Sequence, residues 1–260
     1  MDFSTRLVEP LAQGWDRPRD VSVEGWRIDN MTDGALAAIS VLFAIMMVWM
    51  LWACFKHGKK HSAQYDDGAS KNWVWAKMGI ALGIFFFVDG VLFYHSVHDL
   101  DSVFWNFEEP EKNPATVRIE MNVRQWNWEA RYAGLDGKFN TADDIVTVND
   151  LHAPIGTPVL FQLTAVDVLH SIYIPNLRIK QDVVPGMVTR AWFTAKETGE
   201  FEMGCAQHCG TNHYKMRGSM TVQSKEDYQR WLEAASKDGA RGYNPSDKEA
   251  HWGWSWRKEI

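Results

Sequence analysis

The stretch CAQHCGTNHYKM, residues 205–216, gathers two of the chain's three cysteines, two of its nine histidines and a methionine. Cys205 and Cys209 stand four apart, His213 four further on, and Met216 three beyond that. Three chemistries suit such a run. A disulfide would close so short a loop that it constrains little unfolded-chain entropy, and it leaves the histidine and methionine unexplained. Zinc would take two thiolates and two imidazoles, from His208, His213 or elsewhere. Copper suits the whole set best, because thiolates and imidazoles with a weak, long thioether are the marks of electron-transfer copper on β-sandwich folds. Two cysteines rather than one suggest two metals bridged by shared sulfurs. One more imidazole must then come from a distant strand. His170 supplies it, in the otherwise apolar DVLHSIYIP.

Such ligands need a rigid support, and the sequence offers one. From about residue 115 to 223 the segments VRIEMNVRQWNWEARY, IVTVND, PVLFQLTAVDVLHSIYIP, TRAWFTA, EFEMG and SMTVQS are short, β-branched or aromatic, and separated by turn residues. Strands at this spacing predict an all-β sandwich or barrel. Beyond it, KEDYQRWLEAASK predicts a helix capped by Ser224, within a C-terminal helix and tail over 224–260 that closes on HWGWSWRKEI.

The N-terminal part is of another kind. Gly34 to Phe55 runs 22 residues without a charge, enough at 1.5 Å per residue to cross ~30 Å of hydrocarbon. A second apolar run, about 73–97, carries Lys77 near its start and Asp89 inside it. Both predict membrane-spanning helices, because buried helices of soluble proteins are rarely apolar all round for so long. The first begins behind a polar stretch over 1–33 with seven acids and four bases, so it is expected to stay in the mature chain. The loop KHGKKHSAQYDDGASK holds four lysines against two aspartates, which predicts a cytoplasmic loop with both termini and the copper-binding part on the outer face. Residues 34–98 then form the helical pair and 99–114 a linker.

The whole chain resembles subunit II of haem–copper respiratory oxidases, the cytochrome c oxidase type. The resemblance rests on D-V-x-H-S at Asp167 to Ser171 and C-x-E/Q-x-C-x-x-x-H-x-x-M at Cys205 to Met216, in that order, after two apolar helices. It implies a two-helix hairpin followed by a cupredoxin domain carrying the binuclear copper centre CuA, with two copper ions. Cys205 and Cys209 would bridge them, His170 and His213 would each bind one, Met216 would be a weak axial ligand, and the Gln207 carbonyl the other. VRQWNW resembles the family's aromatic run over the copper site, which makes Trp126 the residue that accepts the incoming electron. NLRIKQDVVPGM resembles the loop that seats the domain on the catalytic subunit. The implied function is transfer of electrons from cytochrome c in the plasma membrane to haem, which lies only in the partner subunit I, where oxygen is reduced. Two other functions remain open: the CuA subunit of a nitric oxide reductase of the same superfamily, and a membrane-anchored copper-delivery protein.

Departures from the family pattern are specific. Gln207 stands where a glutamate often helps hold a magnesium ion, so the carbonyl role carries over and the carboxylate role does not. No acid opens the second helix, in SKNWVWAKM, where many members have one near a proton channel. Asp89 instead lies within that helix, and a mid-bilayer carboxylate costs ~2.5–3.5 kcal/mol on insertion scales; a hydrogen-bonded aspartate facing the partner subunit is the expected reading. His208 is expected at the surface, and DGKFNTADD as a solvated hairpin loop, since it lacks calcium-loop spacing. No C-x-x-C-H occurs for a c-type haem. From Asp99 to Gln223 there are 16 acids and 11 bases, while the tail is balanced. That acidity suits a small basic cytochrome and gives no reason to expect nucleic acid.

Overall fold

The computed structural model describes residues 17–58, 61, 62, 65 and 67–242. Residues 1–16, Lys59 and Lys60 of the basic loop, and the tryptophan-rich tail from 243 lie outside them. The described chain divides into a helical unit, 27–105, and a second unit built from the segment before it and everything after it.

In the helical unit, α1 (Gly25–Lys56) is an unbroken helix of 32 residues. It starts nine residues before the charge-free run expected from Gly34. The second helix opens at α2 (Lys71–Ile84), where Ser70 accepts from Trp73 N. It passes through a π-turn at Phe85–Asp89 into α3 (Gly90–Asp99) and through a second π-turn at Leu100–Phe104. The Gly90 N–H reaches back to Phe85 O, and Trp105 N to Leu100 O at 2.8 Å. Asp89 thus sits in a π-turn, a device common at functional sites. No residue in the apolar window of either helix is buried within the chain, which leaves both to lipid or a partner subunit.

The linker expected over 99–114 is largely helical. Ser102 Oγ donates to His98 O at 2.6 Å, and α4 (Glu108–Lys112) follows directly. Asp99 is held by Arg27 Nη1 at 2.9 Å, so the start of α1 and the end of α3 lie side by side.

The second unit is a sandwich of two five-stranded sheets. One runs β3 (Ile145–Val148), β2 (Asn127–Tyr132), β1 (Val117–Arg124), β5 (Pro158–Ala165), β8 (Thr189–Thr194). The other runs β4 (Asp150–Pro154), β10 (Arg217–Gln223), β9 (Gly199–Cys205), β6 (His170–Ile174), β7 (Ile179–Val183). Alternate residues of β1 (Ile119, Met121, Val123) meet Trp128, Phe161, Leu163, Phe201, Met203 and Met220 in one buried core. The strands β4 and β7 were not expected from their polar composition.

Two polar alternates of β1, Glu120 and Asn122, are buried too. Glu120 pairs across the ladder with Arg131, which donates through Nε at 2.8 Å, and Arg131 Nη1 lies 3.7 Å from Asp144. Burial pushes Glu120 up to about 7, against the pull of Arg131. Asp144 belongs to the loop expected to be solvated. Only part of that loop is, because the Asp144 carboxylate accepts from Asn140 N and reaches the buried arginine. Replacing Arg131 with methionine leaves two acids without their shared cation and is expected to lower stability by about 3–5 kcal/mol. Urea unfolding of the chain in detergent, followed by tryptophan fluorescence, checks this; an unchanged midpoint would show the pair to be dispensable.

Two additions close the sandwich. Residues 18–23, part of the polar N-terminal stretch, are sewn onto it. Val21 is fully buried, its N–H donates to Asn176 O and its carbonyl accepts from Lys196 N, both at 2.8 Å. Ser22 bridges Ala195, and Val23 N donates to Thr194 O. At the other end α5 (Lys225–Gly242) starts where Ser224 Oγ accepts from Asp227 N at 3.0 Å. It lays Tyr228, Trp231, Leu232 and Ala235 on the core, with Trp231 stacked on His152.

Candidate metal centre

The run 205–216 is a long β9–β10 connection that folds back on itself. Cys205 is the last residue of β9 and Met216 immediately precedes β10; Cys205 N donates to Met216 O at 3.1 Å. Ala206 N donates to Ser171 O, which fastens the loop to β6 beside His170. His213 opens a 3-10 turn, its N–H on Gly210 O. Backbone hydrogen bonds therefore place every side chain of the set before any metal is considered.

The donor atoms converge. Cys205 Sγ and Cys209 Sγ are 3.8 Å apart, both thiols free. Cys209 Sγ is 3.6 Å from His213 Nδ1 and 3.6 Å from Met216 Sδ, while Gln207 O is 3.1 Å from Cys205 Sγ. His170 opens β6, the strand paired with β9, and its ligand atom and the two sulfurs lie within 4.8 Å of one another. All six residues expected as ligands thus meet at one place.

The local electrostatics prepare the site for a cation. Burial works to raise the Cys205 thiol, but the His170 imidazole and main-chain groups of Ser171 and Gln207 bring it down to about 6. Burial, with Cys205 beside it, pushes Cys209 up to about 12. His170 is fully buried; Nε2 is paired with Asp167 Oδ1 at 2.9 Å, and Nδ1 makes no hydrogen bond. A buried, unpartnered ring nitrogen is costly unless something binds it. Two thiols, two imidazoles, a thioether and a carbonyl are soft donors of the kind copper prefers over magnesium or calcium. The residues fit a copper centre.

Comparison with known proteins agrees on the family. Residues 135–224 match the family described as cytochrome c oxidase subunit II, periplasmic domain. The chain is 32% identical over 257 residues to the alternative cytochrome c oxidase subunit 2 of Bradyrhizobium diazoefficiens, covering 89% of this chain and 84% of that one. The chain belongs to the cytochrome c oxidase subunit II family. It is also 28% identical to cytochrome c oxidase subunit 2 of Cereibacter sphaeroides, covering 77% of this chain and 72% of that one. Subunit 2 of a cytochrome bo(3) ubiquinol oxidase from Pseudomonas putida is 25% identical, covering 94% of this chain and 71% of that one. As a subunit II of the haem–copper oxidases, the chain is a membrane-anchored component with a catalytic subunit I as partner.

Within this subunit II, Trp126 lies in the β1–β2 turn, half-buried and packed against the core beside the metal loop. Its ring lies against Gly210, in the turn after Cys209; a Cβ added there would meet the ring at an ordinary 3.4 Å but would come within 2.7 Å of Gln125 Nε2, and the backbone φ of 116° itself favours glycine. Trp128 is fully buried, its ring steeply inclined to that of His170 with centroids 6.4 Å apart. His208 is exposed as expected, its ring set edge-on to His213 with centroids 5.6 Å apart. Asp89 is exposed within the chain. Two residues near the site escaped the sequence reading: Gln125, whose Nε2 donates to Cys209 O at 2.7 Å, and Asp167. The second lies inside the quoted D-V-x-H-S and was open to recognition there.

Proposed function

We propose that this subunit II is the electron-receiving part of a respiratory oxidase. It takes electrons one at a time from a cytochrome c at the outer, periplasmic face of the plasma membrane and delivers them toward haem in subunit I, where oxygen is reduced. Cys205, Cys209, His170, His213, Met216 and the Gln207 carbonyl would hold a binuclear copper centre. When bound, such a pair supplies reversible one-electron chemistry shared over both metals.

The observation that carries this reading is the convergence of two free sulfurs 3.8 Å apart with a buried His170 Nδ1 that no protein group satisfies. What the chain contributes is fixity. Every donor sits at a strand end or in a turn pinned by main-chain hydrogen bonds, so a change of charge meets little reorganisation. The half-buried Trp126 over the Cys209–Gly210 turn offers a π-surface toward an arriving haem edge. The balance of 16 acids to 11 bases over 99–223 favours a basic donor. The lysines of the loop between the spans favour that loop at the cytoplasmic side.

Metal analysis of the purified chain, reconstituted with copper in detergent, tests the reading. Two coppers per chain with a purple mixed-valence spectrum are expected. A single copper, or zinc retained in preference to copper, would overturn it.

A further inference from the structure

Asp167 stands in the bend between β5 and β6, three residues before His170, and its carboxylate is fully engaged. Oδ2 accepts from Gln125 N at 2.7 Å. Oδ1 accepts from Val168 N at 2.6 Å and lies 2.9 Å from His170 Nε2. Gln125 in turn sends its side-chain amide to Cys209 O at 2.7 Å. A continuous strap therefore runs from Cys209, through the side chain and main chain of Gln125, to Asp167 and on to His170. Trp126 is the next residue along the turn that this strap holds.

Its chemistry is directional. A carboxylate offers only acceptors here, so the short contact with His170 Nε2 requires that nitrogen to carry the proton. The Nδ1 lone pair is then the one aimed into the cluster, where Nδ1 is buried and unpartnered. The same carboxylate, through its other oxygen, fixes the turn that presents Trp126.

Resting on the copper reading above, we propose that Asp167 is a positioning residue that orients the His170 ligand and the Trp126 turn together, with Gln125 completing the link to Cys209. An acid at this place has a simpler alternative role, as one surface charge among many that attract a basic cytochrome. The two roles differ in what a substitution changes. Groups that hold a ligand alter the ligand's bonding, whereas docking charges alter only encounter with the donor.

The test uses the copper-loaded full chain in detergent with two variants, Asp167→Asn and Gln125→Met. In Asp167→Asn the nitrogen hyperfine coupling of His170 is expected to change and the midpoint potential to rise, because the oxidised site loses carboxylate support. Despite the larger driving force that a higher potential gives, reduction by cytochrome c is expected to slow by about tenfold or more, because the Trp126 turn loses the carboxylate that accepts from Gln125 N. The slowing should persist at high salt, where docking charges are screened. Gln125→Met should keep the His170 coupling but slow reduction by cytochrome c several-fold, since the Trp126 turn loses its tie to Cys209. Copper lost from Asp167→Asn with an unchanged melting curve carries the same meaning, His170 having lost its orientation. Native hyperfine coupling and potential in Asp167→Asn, with a rate loss that high salt abolishes in comparison with wild type, would reduce Asp167 to a docking charge. If Asp167→Asn does not fold, a wild-type rate in Gln125→Met would overturn the strap. A wild-type chain without the two-copper spectrum would fail the underlying reading instead.

Discussion

Changing either Cys205 or Cys209 to serine is expected to abolish the two-copper spectrum outright, the largest single-residue effect in the molecule. The two sulfurs are not equivalent beforehand. Cys205, held near 6, is already thiolate at neutral pH and offers the first metal its anionic ligand, whereas Cys209, pushed up to about 12, must give up its proton as metal binds. Metal uptake should therefore release protons and proceed faster as pH rises, as it does wherever a thiol must ionise to bind. A serine hydroxyl at either position is a harder ligand that does not ionise readily, so a bridge made by two sulfurs becomes one or none. Met216→Leu is the informative control: copper should stay, with a shifted potential, because a thioether is a weak, long ligand. Metal content and visible absorption after reconstitution measure all three variants. A serine variant that keeps two coppers and the purple colour would show that the sulfurs are not shared.

Trp126→Ala is expected to do the reverse, leaving the copper site intact and slowing its filling with electrons. An indole has a single N–H donor and no lone pair to give a metal. Its place over Gly210 lies beside Cys209 without being part of the donor set. Metal content and spectrum should stay near native, while reduction by cytochrome c falls by at least about tenfold, a rise of ~1.4 kcal/mol in barrier. Docking, spread over many acids, should weaken with salt equally in variant and wild type. Stopped-flow reduction at two ionic strengths separates these effects. Loss of the spectrum would make Trp126 a packing residue, and a wild-type rate would mean that electrons come in by another path.

How much of this was legible in the sequence follows from distance along the chain. Cys205, Gln207, Cys209, His213 and Met216 fall in one connection, so their spacing alone announced a ligand set. His170 needed a chemical argument, a lone imidazole in an apolar strand, together with the family pattern. Asp167 stood in the quoted motif, but its partnership with Gln125 was hidden because it spans 42 positions and depends on two loops meeting. The alternation in VRIEMNV marked a strand but said nothing of the surroundings of Glu120, whose cation comes from the next strand and whose cover comes from a loop of polar composition. Nothing in a run of phenylalanines at 85–87 signals a π-turn, since the extra residue is absorbed by backbone bonds alone. Apolar length, by contrast, was enough to announce both helices.

The sewing of residues 18–23 onto β8 has a consequence for biogenesis. The chain leaves the ribosome from its N-terminus, yet Asp20 finds Lys196 at a separation of 176 positions. At ~5–20 residues per second, that partner is made roughly ten to thirty-five seconds later. In the meantime two apolar helices must be inserted and most of the sandwich made, so this short segment waits beside the membrane for its mate. Its docking therefore waits on the synthesis of β8, and a nascent chain stalled before residue 194 would show a segment still open to protease. The sandwich that carries the candidate metal centre is thus closed by a segment made long before the strand it joins.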